Sequence, residues 1–306
     1  MMDLFFSENA QGYIYLYSAP LHLAIILFEM IYSARHRKRW YSTSDTLTNV
    51  YFAMLNYGLD LVMKAVAMGV MFYFYSHRIF DLAFVGWYWV AVFLMQDFAY
   101  YVHHCVDHFS RVFWAVHVTH HNSEEFNITT GFRSPVFQPL YRYLFFSPIA
   151  FLGFNPWHIM AAYALLQIYG TWLHTKSVKS MGVLEWILVT PSHHRVHHAC
   201  NARYLDRNMG MGLIIWDRLF GTFEKEDPNY EPIKYGITTP LANRGPVEVI
   251  FHEWKQIYKD ITQPSIGFTD RLKYLFYPPG WHHSGHGKTS AQVRAEEREM
   301  RGMRST

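Results

Sequence analysis

HHCVDHFSRVFWAVHVTHH, residues 103–121, holds six of the chain's 19 histidines. On a helix, His104 and His108 are i,i+4 neighbours, and His117, His120 and His121 fall at i, i+3 and i+4, so each set shares a face. The triplet spacing returns in SHHRVHH, where His194, His197 and His198 repeat it. A lone histidine on an apolar face is usually a satisfied core residue, and one HxxxH pair is weak evidence. Two HxxHH triplets and a pair in one chain are another matter. They are what a metal site needs when facing helices deliver the ligands. Eight imidazoles exceed the four to six ligands of one ion, so the pattern points to a dinuclear site. Imidazole suits iron, zinc and copper alike, and spacing does not choose among them.

Outward from this stretch the chain becomes apolar. Its 306 residues are 51% hydrophobic and 18% aromatic but only 17% charged, unlike an ordinary soluble domain. Residues 13–32 have spanning length, with no basic region before them and no small-residue cleavage site after, so they read as a span rather than a cleavable signal. RHRKRW follows from Arg35 to Trp40 and marks the cytoplasmic side. Further spans are expected at 47–76 and 82–102, and a hairpin at 141–173 is broken by Pro148 and by Gly153 to Pro156. The hairpin keeps His174 on the same side as the other histidines. Asp60 and Lys64, at i,i+4 inside the second span, are expected to pair with each other. Asp97 is a candidate acceptor for a ligand N–H.

The expected architecture is therefore all-α: an integral-membrane helical bundle with a cytoplasmic helical cap around a histidine-rich dinuclear site. Residues 1–223 would form the membrane and catalytic part, and 224–306 a cytoplasmic extension ending in a frayed tail. His282, His283 and His286 lie in a Gly- and Pro-rich segment and read as exposed rather than ligating. Cys105 and Cys200 give no disulfide framework and read as small residues packed beside the histidine clusters. A net charge of +3 argues for no nucleic-acid partner.

The motifs DFAYYVHHCVDH, WAVHVTHHNSEEFN, WLHT, TPSHHRVHHACN and DRNMGMGLIIWDRLFGTFEKE resemble the fatty acid hydroxylase / sterol desaturase superfamily, most of all its ether-lipid branch. The resemblance implies two irons per chain, O₂ as oxidant and hydroxylation of a lipid C–H bond, of an ether lipid, an acyl chain or a sterol-like ring. Desaturation on the same site is the alternative. It also implies an external electron donor, either an electron-transfer protein of ferredoxin or cytochrome type or a reduced pterin. The implied ligands are His104, His108, His117, His120, His121, His174, His194, His197 and His198. His193, Asp97, Glu124 and Glu125 are candidates for a tenth ligand or for the hydrogen bonds behind the ligands, and Arg195 is expected to form a salt bridge. The membrane would be a bacterial inner membrane or the endoplasmic reticulum. From a different class, the motifs also fit a metal-binding membrane protein without catalysis. Transport would place ionisable residues deep in several spans, whereas these histidines cluster at span ends.

Overall fold

The computed structural model describes residues 9–302, and the ends of the two expected regions, 1–8 and 303–306, lie outside it. The all-α expectation holds. The first half comprises α1 (Ala10–Arg35), α2 (Thr43–Ser76), α3 (Gly86–Phe109), α4 (Arg111–His121), α5 (Arg142–Phe151) and α6 (Pro156–Trp172). The second comprises α7 (Pro191–His197), α8 (Ile215–Phe220), α9 (Pro246–Ile261), α10 (Phe268–Phe276) and α11 (Ser290–Met300).

Among the described residues, α1 and α2 are long and apolar enough to cross a membrane. With 26 and 34 residues they extend about 39 and 51 Å at the helical rise. A hydrocarbon core is only about 30 Å thick. Their large apolar side chains face outward: Leu16, Phe28, Met54 and Val62 are 64–72% exposed. Such rows are costly in water and fit hydrocarbon. The surplus length of α2 has a use at its N-terminal end. Ser42 caps it by accepting from the Asp45 N–H, and Asp45 and Asn49 then reach the segment that follows α4.

α1 lies against α6, α2 against α5, and α3 against both α5 and α6. The main core sits where these meet, around Met71, Tyr88, Val92, Phe146, Ile149, Ile159 and Leu166. Between α5 and α6 the chain turns through Gly153 at φ 114°, where a Cβ would stand 2.2 Å from the Phe80 carbonyl oxygen. Asn155 then accepts from the Trp157 N–H and Pro156 opens α6. Inside this bundle Asp60 pairs with Arg142 of α5, not with Lys64 as its spacing suggested. The aspartate turns inward toward a buried cation rather than along its own helix.

α9 and α10 pack on α4, and α11 packs on the turn at 202–204. Arg111 at the start of α4 is held by Glu253 and Asp260 of α9, both at 2.7 Å. Within the described part of the C-terminal extension, α11 is tied back to the 202–230 region. Arg294 of α11 donates to the Leu205 carbonyl at 2.5 Å, and Glu297 accepts from the Tyr230 hydroxyl at 2.9 Å. These partners are distant in sequence, so helical periodicity alone could not show them.

Candidate metal centre

Short helices carry most of the histidines. α3 ends in His104 and His108, and α4 presents His117, His120 and His121. α6 runs out just before His174. α7 is fixed by Thr190 as cap and Pro191 in its first turn, and supplies His194 and His197, with His198 closing it. In space these side chains form two groups. His104, His108, His117, His121 and His197 have ring nitrogens all within 4.8 Å of one another, as do His120, His174, His194 and His198. The groups abut: the rings of His121 and His198 stack at 4.4 Å.

The hydrogen bonds behind the rings set their protonation. The Nδ1–H groups of His104, His120, His174 and His197 donate to the carbonyls of Met209, Arg133, Gly170 and Arg207, at 2.7 to 3.0 Å. A carbonyl can only accept, so each Nε2 keeps its lone pair and points inward. His174 Nε2 lies 3.4 Å from His120 Nε2, where two lone pairs face each other with no proton to share. His108 Nδ1 meets Asp206 at 3.0 Å. Among the described residues, the inward Nε2 atoms of His108, His121 and His197 are buried without a hydrogen-bond partner. Buried polar atoms are nearly always satisfied. Converging, unprotonated and unpartnered nitrogens are what a cation would satisfy, and an all-imidazole set suits iron, zinc or copper.

Electrostatics agree. Burial, reinforced by neighbouring imidazoles, holds His117, His121, His194, His197 and His198 well below the usual histidine range. His120 is pushed down to about 4, chiefly by burial. The neutral imidazole, which is the ligating form, is therefore the resting one at pH 7.

Each of the nine sequence-nominated histidines falls in one of the two groups. The other nominated residues lie outside them. Asp97 receives no histidine N–H; it accepts from the Gly212 and Leu213 amides at 2.8 and 3.1 Å and from the Trp216 indole at 2.9 Å. His193 Nδ1 accepts from the Thr190 amide, so it closes the start of α7. Glu124 pairs with Arg244 on the surface, and Glu125 stands 4.0 Å from Lys176. Arg195 is in the salt bridge expected of it, with Glu226 at 2.7 Å. His283 bonds Tyr274 at 2.8 Å, and the 282–286 cluster is in neither group.

Sequence reasoning missed the acids behind the ligands. Asp107, fully buried, lies 3.4 Å from His117 Nδ1 and from His103 Nε2, and accepts from Tyr141 and Gln138 at 2.7 and 2.9 Å. Its place in the HCVDH motif was the available signal. Asp206 is 98 positions from His108 and sits in an irregular segment, so no spacing could pair them. Asp217 holds the Met209 and Gly210 amides at 2.6 and 2.8 Å, and burial pushes its carboxyl up to about 6. Gly131 passes so close that a Cβ would lie 3.0 Å from His174 Nδ1. Glu29 of α1 accepts from the Ile128 amide at 3.0 Å and from Thr175, beside His174.

A cavity of about 60 Å³ opens onto both groups, touching His104 and His117 of one and His120, His174 and His194 of the other. A separate cleft of about 860 Å³ reaches His108, His121 and His197, lined by residues of α4, α9 and the start of α11.

Residues 89–222 match the fatty acid hydroxylase family. Over 289 residues the chain is 34% identical to alkylglycerol monooxygenase of Homo sapiens, covering 93% of this chain and 63% of that protein. It is 32% identical to the Caenorhabditis elegans alkylglycerol monooxygenase over 83% of this chain and 52% of the relative. The ornithine lipid hydroxylase of Rhizobium tropici is 27% identical over 49% of this chain and 45% of its own. The chain thus spans less than two thirds of the length of these relatives. No solved structure matches it.

Proposed function

Because the chain belongs to the fatty acid hydroxylase family, we propose that it is a membrane-embedded, O₂-dependent monooxygenase that hydroxylates a lipid C–H bond. Alkylglycerol-type ether lipids are the leading substrate class, given the relatives' names. One observation carries the reading: two groups of inward-facing imidazole nitrogens share a single cavity. His104, His108, His117, His121 and His197 would hold one iron, and His120, His174, His194 and His198 the other. When bound, the pair would supply O₂ reduction and C–H oxidation, with electrons from an external donor of ferredoxin or cytochrome type or a reduced pterin.

The chain's own residues do the rest. Backbone carbonyls fix the imidazole tautomers, and Asp206 aims His108. Met211 and Tyr100 wall the shared cavity against bulk water. Arg35 ends α1, Arg37, Lys38 and Arg39 follow it, and the Trp40 carbonyl accepts from Asn127 near the site. The basic run and the histidines thus lie at one end of the bundle, which supports the reading that the metals sit on the cytoplasmic side.

The test is metal analysis of detergent-purified protein, with turnover of 1-O-hexadecylglycerol under O₂ and reductant. About two irons per chain, an aldehyde product, and loss of most of one iron in His120→Ala are expected. A single ion per chain, or metal content unchanged in His120→Ala, overturns the dinuclear assignment. Two irons without turnover of any lipid overturns the monooxygenase.

A further inference from the structure

The cavity on the two histidine groups has polar walls, and their hydrogen-bonding capacity is half used. The Gln138 amide nitrogen donates to Asp107 at 2.9 Å, the Asn56 amide nitrogen to the Pro135 carbonyl at 2.6 Å, and the Gln167 amide nitrogen to Tyr163. Among the described residues none of the three amide oxygens takes a donor. Arg142 lines the same cavity and also a second one of about 20 Å³ between α2, α5 and α6. It is buried, lies 5.0 Å over the Tyr163 ring, and has Asp60 as its one acceptor among the described residues. A charged pair inside a bundle of membrane helices is costly and marks a functional site by default.

Three oxygens awaiting donors and a guanidinium with spare N–H groups complement a ligand that both donates and accepts. Hydroxyl groups do both. The cavity has room for roughly four or five water-sized groups, which fits a glycerol-sized head better than a fused ring system. Asp60 already pairs with Arg142, so a phosphate would have to compete with that carboxylate for the guanidinium. The middle of an acyl chain would leave every one of these groups unpaired, the situation by which sites built for hydroxyls reject analogues lacking them.

We infer that Asn56, Gln138, Gln167 and Arg142 form a head-group subsite for an uncharged, hydroxyl-bearing lipid head, so that oxidation falls within a few bonds of the head. The inference rests on the monooxygenase reading and adds the recognition that directs it. Gln167, Gln138 and Asn56 accept from the hydroxyls, and Arg142, oriented by Asp60, donates to them.

Binding to iron-loaded, O₂-free protein in detergent tests this, using 1-O-hexadecylglycerol, hexadecyl methyl ether and 1-O-hexadecylglycerol 3-phosphate. The methyl ether should bind at least about tenfold more weakly than the diol. Gln167→Leu should weaken the diol about tenfold and leave the methyl ether unchanged; the joint variant Asp60→Asn, Arg142→Gln should act likewise without stranding a buried charge. Equal binding of diol and methyl ether, tighter binding of the phosphate, or a Gln167→Leu loss that is the same for both lipids overturns the subsite. Iron content and turnover on the same preparations separate the two readings. Selective diol binding with iron present but no oxidation would sink the monooxygenase and leave the subsite standing. Oxidation with unselective binding would do the reverse.

Discussion

At the scale of single residues, the histidines are ordinary and their partners are not. A ligating imidazole is oriented by what its other nitrogen bonds, and in His104, His108, His120, His174 and His197 carbonyls or Asp206 hold that nitrogen. Asp206 is the clearest case, because its 3.0 Å contact is the only one that the outer nitrogen of His108 makes among the described residues. Asp206→Ala should lower affinity for the metal of the first group by about 10- to 100-fold, read by competition with a chelator. Asp206→Asn keeps an acceptor oxygen and should recover most of the loss. Unchanged affinity in Asp206→Ala would remove the aspartate from the metal centre. Asp107 was legible in principle, since it stands within the motif itself. Asp206 was not, because only the folded chain brings residue 206 to residue 108.

At the scale of elements, α3 joins the membrane bundle to the metal centre. Its Asp97 takes three donors from the 212–216 segment, while Asp217 takes the amides of Met209 and Gly210. Together they fix the stretch whose Met209 carbonyl orients His104. Asp97→Ala leaves two buried amides and the half-buried Trp216 indole without an acceptor and should cost about 3 kcal/mol, seen as a thermal midpoint several degrees lower in detergent. Gly212→Ala should act in the same direction, because its new Cβ would lie 2.7 Å from an Asp97 carboxylate oxygen. If both variants melt like the parent, Asp97 is not the tie between α3 and the 212–216 segment. The sequence suggested Asp97 as a partner of a ligand. Its actual role lies one step further out, on the segment that aims the ligand. The i,i+4 spacing likewise suggested Lys64 for Asp60, but buried Arg142 on a neighbouring helix is the stronger partner.

At the scale of the whole molecule, nine imidazoles are gathered in the interior between α3, α4, α7 and the end of α6. Where burial holds the folded-state pKa of an imidazole below the value of about 6.5 in an unfolded chain, the unfolded chain binds more protons between those two values. Stability then rises with pH across that window and is lost as pH falls through it. The metal-free protein should melt progressively lower as pH falls below about 6.5, the several depressed imidazoles outweighing the opposite effect of the raised carboxyls of Asp107 and Asp217. A midpoint unchanged from pH 7 to pH 5 would contradict the depressed values of His117, His121 and His198. The clamp at Glu29 belongs to this scale too, since it ties α1 to Ile128 and to the residue after His174, 146 positions away.

The sequence by itself determined the helical class, the apolar lengths of α1 and α2, and eight of the histidines that meet, because all three are written in local spacing; His174 came only from the resemblance of WLHT to a family motif. Helical periodicity puts His117, His120 and His121 on one face wherever the helix goes. Tertiary structure decided how nine histidines divide into five and four, which acids and carbonyls stand behind them, and which amide oxygens are left facing the shared cavity. Those choices depend on how α2, α3, α5 and α6 pack against one another. A hydrogen bond across 98 residues has no periodicity to betray it.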